Sequence, residues 1–212
     1  KELVPECRVY FAGSSEMFGN AKVSPQHELT PFNPRSVYGI SKLAAFHLAR
    51  NYREHHKLYI AAGILYNHES PRRGYQFVTR KITSTVAKIH LGMADRLELG
   101  NIDALRDWGY APDYVIAMHA MLQQDIPEDF VIATGTLHSV RDFLNKAFSV
   151  VGLNYESYIH INSDHFRPGE DVPLCGDATK ANLTLNWKPS RTLDQIVEEM
   201  VFSDIEHIRK DK

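Results

Sequence analysis

Ser14, Glu16, Tyr38 and Lys42 carry side chains suited to acid–base work on a hydroxyl-bearing substrate. Tyr38 and Lys42 stand four residues apart at the start of a helical pattern, which puts them on one helix face. A cation beside a phenol stabilises the phenolate and brings it towards the range of a general base. Ser14 and Glu16 follow the apolar run Arg8-Val9-Tyr10-Phe11-Ala12-Gly13, which reads as a strand ending in small residues. A hydroxyl and a carboxylate delivered from that strand end, beside the Tyr–Lys pair, make a site for redox chemistry on a sugar. The plainer reading of Glu16 is an exposed strand-end carboxylate, and a YxxxK spacing by itself occurs in many helices.

The elements that must position these side chains alternate in type. A strand is expected at 7–13, followed by a loop rich in proline and asparagine (Pro25, Pro31, Asn33, Pro34). A helix is expected from about Ser36 to His56, with Leu43, Phe46 and Ala49 at helical spacing. The continuous apolar run at 58–65 reads as a parallel strand covered on both faces. After a loop at 67–74 come a helix from about Val78 to Leu91, a short strand at Arg96–Leu99, a helix over Asp113–Gln124 and a strand over Phe130–Ala133. Ser139 is a fitting N-cap for a helix reaching Val151, and an amphipathic closing helix starts at Leu193 with Ile196, Met200 and Val201 inward. Strands alternating with helices indicate an α/β fold.

Composition narrows the function class. A chain of 212 residues with 43% hydrophobic content buries a sizeable core in one or two domains. The formal net charge of −2 argues against nonspecific nucleic-acid binding, which needs a basic face. Eleven histidines are many, yet none falls in a metal-binding spacing such as HExxH, so no metal site is expected. Two cysteines, Cys7 and Cys175, make no disulfide framework and fit reduced, cytoplasmic usage. No apolar run has the length of a membrane span, and no membrane association is expected. A complete dinucleotide-binding enzyme would show a Gly-rich turn after its first strand, and no GxGxxG or GxxGxxG occurs here.

The run Ser14-Ser15-Glu16-Met17-Phe18-Gly19, with Tyr38-Gly39-Ile40-Ser41-Lys42, resembles the extended short-chain dehydrogenase/reductases that modify nucleotide sugars. Within them the chain is most similar to the GDP-mannose 4,6-dehydratase family. The residues that carry this are Asn67-His68-Glu69-Ser70-Pro71-Arg72-Arg73-Gly74, Phe77-Val78-Thr79-Arg80-Lys81-Ile82-Thr83, Leu99-Gly100-Asn101, Leu105-Arg106-Asp107-Trp108-Gly109, the run at 127–135, and Arg167-Pro168-x-Glu170. Six ordered motifs are far more specific than one. The resemblance implies an oxidation at C4 of the hexose by a tightly held NADP, loss of water across C5 and C6, and return of the hydride to C6. Tyr38 would take the O4 proton, and Lys42 would bind the nicotinamide ribose. Ser14, where the family usually has Thr, would hydrogen-bond O4, and Glu16 would take the C5 proton and help the C6 hydroxyl leave. Glu16 also separates relatives: epimerases and 4-keto reductases usually carry a non-acidic residue there, and glucose-type dehydratases usually show an adjacent Asp-Glu pair.

The resemblance further implies that His68 and Arg73 contact NADP. Asn67, Arg106 and Arg167 would hold the diphosphate of GDP-mannose, Lys81 and Glu170 its guanine and ribose, and Val78 would pack nearby. The plainer readings are an ion network in the 67–74 loop, a local Arg106–Asp107 salt bridge and a solvated helix face at Lys81. The expected fold is the C-terminal part of a Rossmann-like doubly wound parallel sheet plus a smaller α/β substrate-binding domain. Residues 1–66 would belong to the Rossmann part and 67–212 mainly to the nucleotide-sugar domain, with about 110–135 returning. A homodimer or homotetramer is expected of the complete enzyme. With the Gly-rich half not seen, the chain reads first as a fragment of a longer enzyme; a split enzyme and a truncated non-catalytic GDP-sugar-binding or assembly module are the alternatives, and within the enzyme class another nucleotide-sugar epimerase or 4-keto reductase is the rival.

Overall fold

A computed structural model of the chain describes residues 4, 6–162 and 172–210. The chain forms two compact units, one of Lys1–His68, Asp107–Leu137 and Asp171–Ser190, the other of Glu69–Arg106, His138–Glu170 and Arg191–Lys212.

The first unit is built on a parallel sheet of three strands: β1 (Arg8–Ala12), β2 (Tyr59–Leu65) and β6 (Asp129–Ile132), in the order β1-β2-β6. Phe11 pairs with Ala62, and Gly63 with Phe130. The central strand is nearly all buried because both of its faces are covered, which is why its sequence is a run and not an alternation. Ala62 and Ile64 point into one cluster with Met17, Phe18, Phe46 of α1 (Val37–His56) and Tyr66. Ala61 and Leu65 point into the other, with Tyr114, Ala117 and Met121 of α3 (Ala111–Met121) and with Ala181 and Trp187. Ser36 caps α1 by accepting a hydrogen bond from the Gly39 amide at 3.0 Å, and the helix stops at Lys57 in left-handed conformation, φ 53°.

Residues 171–190 fall in the first unit, where the sequence reading had placed them with the nucleotide-sugar domain. The cause is packing that no local pattern announces. A short helix, α5 (Thr179–Leu185), brings Trp187 edge-on to Tyr114 at 5.8 Å, and the indole donates to the Asp113 carbonyl at 2.7 Å. Asp113 in turn accepts from the amide and hydroxyl of Ser190, at 2.9 and 2.6 Å. Two more strands appear, β3 (Asn67–Glu69) in a stretch read as a loop and β5 (Leu105–Tyr110) in one given no element; with β7 (Leu137–Ser139) they form a sheet ordered β3-β5-β7. Asp107 on β5 is fully buried and accepts four hydrogen bonds: from the Thr134 amide (2.9 Å) and hydroxyl (2.6 Å), Gly135 N (3.0 Å) and Gly176 N (3.2 Å).

The second unit packs three helices, α2 (Val78–His90), α4 (Val140–Val150) and α6 (Leu193–Lys210), beside a parallel pair of short strands, β4 (Leu97–Leu99) and β8 (Ile159–Ile161). α6 buries Ile196, Met200 and Val201, as its spacing predicts, together with Leu193, Val197 and Ile205. α4 starts with a reciprocal capping box between Ser139 and Asp142. A buried ion pair joins α2 to α6: Arg80 Nη2 lies 2.8 Å from Asp204 Oδ1, and the Thr83 hydroxyl donates to the other oxygen at 2.7 Å. No described helix is long and apolar enough to cross a membrane.

Candidate active site

The C-terminal end of β1 is where the first unit gathers its reactive side chains. After Gly13, whose amide bonds the Gly63 carbonyl at 2.8 Å, Ser14 caps a single 3₁₀ turn, Ser15–Met17, by accepting from the Glu16 amide at 3.2 Å. Met17 and Phe18 anchor that turn in the core. The turn therefore holds Glu16 half-buried at a fixed place on the strand end.

Helix α1 meets the same place. Tyr38 is in its first turn with about half of its surface open (53%), so the phenol is reachable by substrate. One turn later the Lys42 ammonium donates to the Ala12 carbonyl at 2.9 Å, 5.7 Å from the Tyr38 ring centre. The two elements can approach this closely because residue 39 has no side chain. A Cβ at Gly39 would lie 2.5 Å from the Glu16 carbonyl oxygen, inside any permitted contact. Ser14, Glu16, Tyr38 and Lys42 thus share one strand end and one helix start, the region where open α/β sheets bind ligands. The donor set fits a ribose: Ala12 takes one of the three ammonium hydrogens, which leaves donors for hydroxyls beside the Tyr38 phenol.

The other sequence-predicted residues are distributed over both units. Asn67 and His68 follow the central strand in the first; His68 Nδ1 lies 2.8 Å from the Tyr66 carbonyl and the ring stacks on Tyr114 at 4.6 Å. Arg73, Val78, Lys81 and Arg106 belong to the second, where all four are partly buried. The Arg106 guanidinium donates to its neighbour's carbonyl, Leu105 O, at 2.8 Å, while the Asp107 carboxylate is held by Thr134, Gly135 and Gly176. Arg167 and Glu170 lie outside the described residues. Among the described residues, no three of His, Cys, Asp and Glu are grouped to hold a metal.

Sequence reasoning missed Gly39 and Glu69. Glu69 is fully buried, with burial pushing its carboxyl up from the usual value against the Arg73 charge and a Thr79 hydrogen bond. Its sequence signals are its place in the 67–74 motif and an acid four residues beyond the core strand, where a solvated loop would have been the ordinary expectation.

The α/β fold is shared with solved structures of other proteins. It superposes with TM-score 0.86 on RMD from Pseudomonas aeruginosa complexed with NADPH, at 22% identity over 93% of this chain and 66% of that one. It superposes with TM-score 0.85 on dTDP-glucose 4,6-dehydratase from Bacillus anthracis in complex with NAD, at 21% identity over 98% and 66%. Residues 1–200 match the family described as GDP-mannose 4,6 dehydratase, and the chain belongs to that family. It is 51% identical to GDP-mannose 4,6 dehydratase 1 of Arabidopsis thaliana over 97% of this chain and 56% of that protein, and 48% identical to the GDP-mannose 4,6 dehydratase of Homo sapiens over 98% and 60%. The chain thus spans little more than half the length of these relatives.

Proposed function

We propose that this chain carries the acid, the base and the nucleotide-sugar contacts of a GDP-mannose 4,6-dehydratase, converting GDP-mannose to GDP-4-keto-6-deoxymannose in deoxyhexose biosynthesis. The observation that carries the reading is Glu16, held in a 3₁₀ turn whose Glu16 carbonyl packs against Gly39, the residue after Tyr38 in the first turn of α1. Simple hydride transfer needs no such acid; elimination of water does.

Tyr38 removes the O4 proton while the C4–H bond breaks, and the neighbouring Lys42 charge balances the negative oxygen. Ser14, whose oxygen already accepts from Glu16 N, turns its own hydroxyl hydrogen to O4. NADP, when bound, supplies the acceptor for the C4 hydride and its return to C6. With C4 a ketone, the C5 hydrogen is acidic: Glu16 takes that proton and delivers it to the C6 hydroxyl, which leaves as water. The new double bond would then take up the returned hydride at C6 and a proton at C5, the proton balance being closed by the one Tyr38 removed from O4. Lys42 and Tyr38 hold the nicotinamide ribose, and His68 and Arg73 further parts of NADP. Asn67, Arg106 and Arg167 hold the diphosphate; Lys81, Val78 and Glu170 take the guanosine end. The exposed apolar side chains of α1, Ile40, Leu48 and Tyr52, support assembly as a homodimer or homotetramer. Two unpaired cysteines support a cytoplasmic setting.

The test is Glu16→Gln in the chain completed with the remaining sequence of the Arabidopsis relative, incubated with GDP-mannose and NADP. Dehydration is expected to fall by about two to four orders of magnitude, with hydride exchange at C4 surviving. An unchanged dehydration rate rules out Glu16 as the base. Survival of both steps with Tyr38→Phe rules out the site.

A further inference from the structure

In the second unit a charged group is buried where the family reading assigns it no task. The Glu69 side chain is 1% exposed and ends strand β3. One of its oxygens, Oε2, receives the Thr79 hydroxyl at 2.5 Å and lies 3.2 Å from Arg73 Nε, an ion pair in which the N–H does not point along the line to the oxygen. The other, Oε1, is buried with no hydrogen-bond donor among the described residues. Keeping a carboxylate in such a place costs several kcal/mol of desolvation, and an apolar side chain of the same volume is often the more stable choice. A compensating use is therefore to be sought in what Glu69 holds.

It holds Arg73 from one side. The guanidinium carbon sits 3.6 Å from the centre of the Phe77 ring, so the plane is packed on an aromatic face while its Nε edge faces the Glu69 carboxylate as an ion pair. Arg73, Phe77 and Thr79 come from one stretch of chain around the start of α2, and Arg72 beside them is exposed. With the Nε edge turned to the carboxylate, the four N–H groups of the two Nη nitrogens remain, on a side chain that is 21% exposed. A fixed, planar fork of that kind is the geometry that binds a phosphate through two parallel hydrogen bonds, whereas a free arginine must first lose its rotamer freedom.

We propose that Glu69 is a positioning residue: with Thr79 and Phe77 it fixes the Arg73 guanidinium so that its Nη edge is presented, ready-oriented, to a phosphate group of the cofactor. This deepens the reading of Arg73 as a cofactor contact and rests on it.

The probe is inorganic pyrophosphate, titrated into the chain while the Arg73 Nε–Hε resonance is followed by NMR. In the wild type the signal is expected to be narrow and to shift on titration. Glu69→Gln keeps the Thr79 contact but removes the charge; it should weaken binding about tenfold, the worth of one charge-assisted contact, and broaden the Nε–Hε signal by freeing its rotation. Phe77→Leu and Thr79→Val leave the carboxylate in place and should weaken binding about threefold each, which keeps the test open should Glu69→Gln fail to fold. If the folded Glu69→Gln chain, or both other variants, bind as the wild type while Arg73→Lys does not, positioning by Glu69 is overturned and Arg73 stands as a contact. If Arg73→Lys also binds as the wild type, the cofactor role of Arg73 falls with it.

Discussion

Asp107 in the first unit and Asp204 in the second are both carboxylates with 1% or less of their surface exposed, and burial pushes both up from the usual aspartate value. Their surroundings differ in kind. Asp107 is met by uncharged donors alone: one hydroxyl and the amides of Thr134, Gly135 and Gly176, which tie two separate stretches of chain to one side chain. Asp204 is met by a cation, Arg80, which itself lies over the Tyr75 ring at 4.9 Å, with the Thr83 hydroxyl on its other oxygen and the His207 charge acting in the same sense as Arg80. Neutral satisfaction spreads the cost of burying a charge over several weak bonds, each expendable in part. An ion pair concentrates it, so removal of either partner strands the other.

The largest effect should come from breaking that concentration. Arg80→Met leaves Asp204 buried without its cation and is expected to cost about 3–5 kcal/mol in urea unfolding. Arg80→Met with Asp204→Leu should recover most of the loss, because a buried pair replaced by apolar side chains is often neutral. A single substitution costing under about 1 kcal/mol would show that the pair is wetter than its geometry indicates. Asp107→Asn should cost less, about 1–3 kcal/mol. The amide keeps one acceptor oxygen but turns an N–H₂ towards donors, and no charge is stranded. Equal losses at the two sites would erase the distinction.

What could be read in the sequence follows the same line between local and distant causes. The α1 start at Ser36, the Ser139 cap, the doubly covered run of β2 and the inward stripe of α6 each follow from residues within a few positions of one another. The spacing of Tyr38 and Lys42 is a helical fact and survives into space. β5 was not visible, since Arg106 and Asp107 in its middle break any strand pattern; the donors that make Asp107 tolerable sit 27 to 69 residues away. α5 and the return of 171–190 depend on Trp187 meeting Asp113, 74 residues earlier in the chain. Gly39 carries no signal of its own, because its necessity lies in the Glu16 carbonyl across from it. Motifs named the candidate residues, while what holds them in place was distant in sequence and therefore hidden.

The smallest effect belongs to an acid at the opposite extreme. Asp142 is exposed, and hydrogen bonds from Ser139 hold its carboxyl below the usual aspartate value, first through the Ser139 side chain and then its backbone. A lowered folded-state value means that the capping box contributes stability above the unfolded aspartate pKa, near ~3.9, and loses it as the pH falls through the folded value. Asp107 and Asp204 run the other way: their folded values are raised, so their contribution is complete below ~3.9 and is lost as the pH rises through the folded values. Ser139→Ala should therefore cost about 1 kcal/mol at pH 7, and the gap to wild type should narrow once the pH drops below about 4. In the Arg80→Met, Asp204→Leu chain, which lacks one raised acid, the gain in melting temperature as the pH falls through the raised aspartate values should be smaller than in wild type. A gap at Ser139 that widens in acid would contradict the assignment of Asp142 as a held-down carboxylate, and with it the contrast between acids fixed at the surface and acids tolerated in the core.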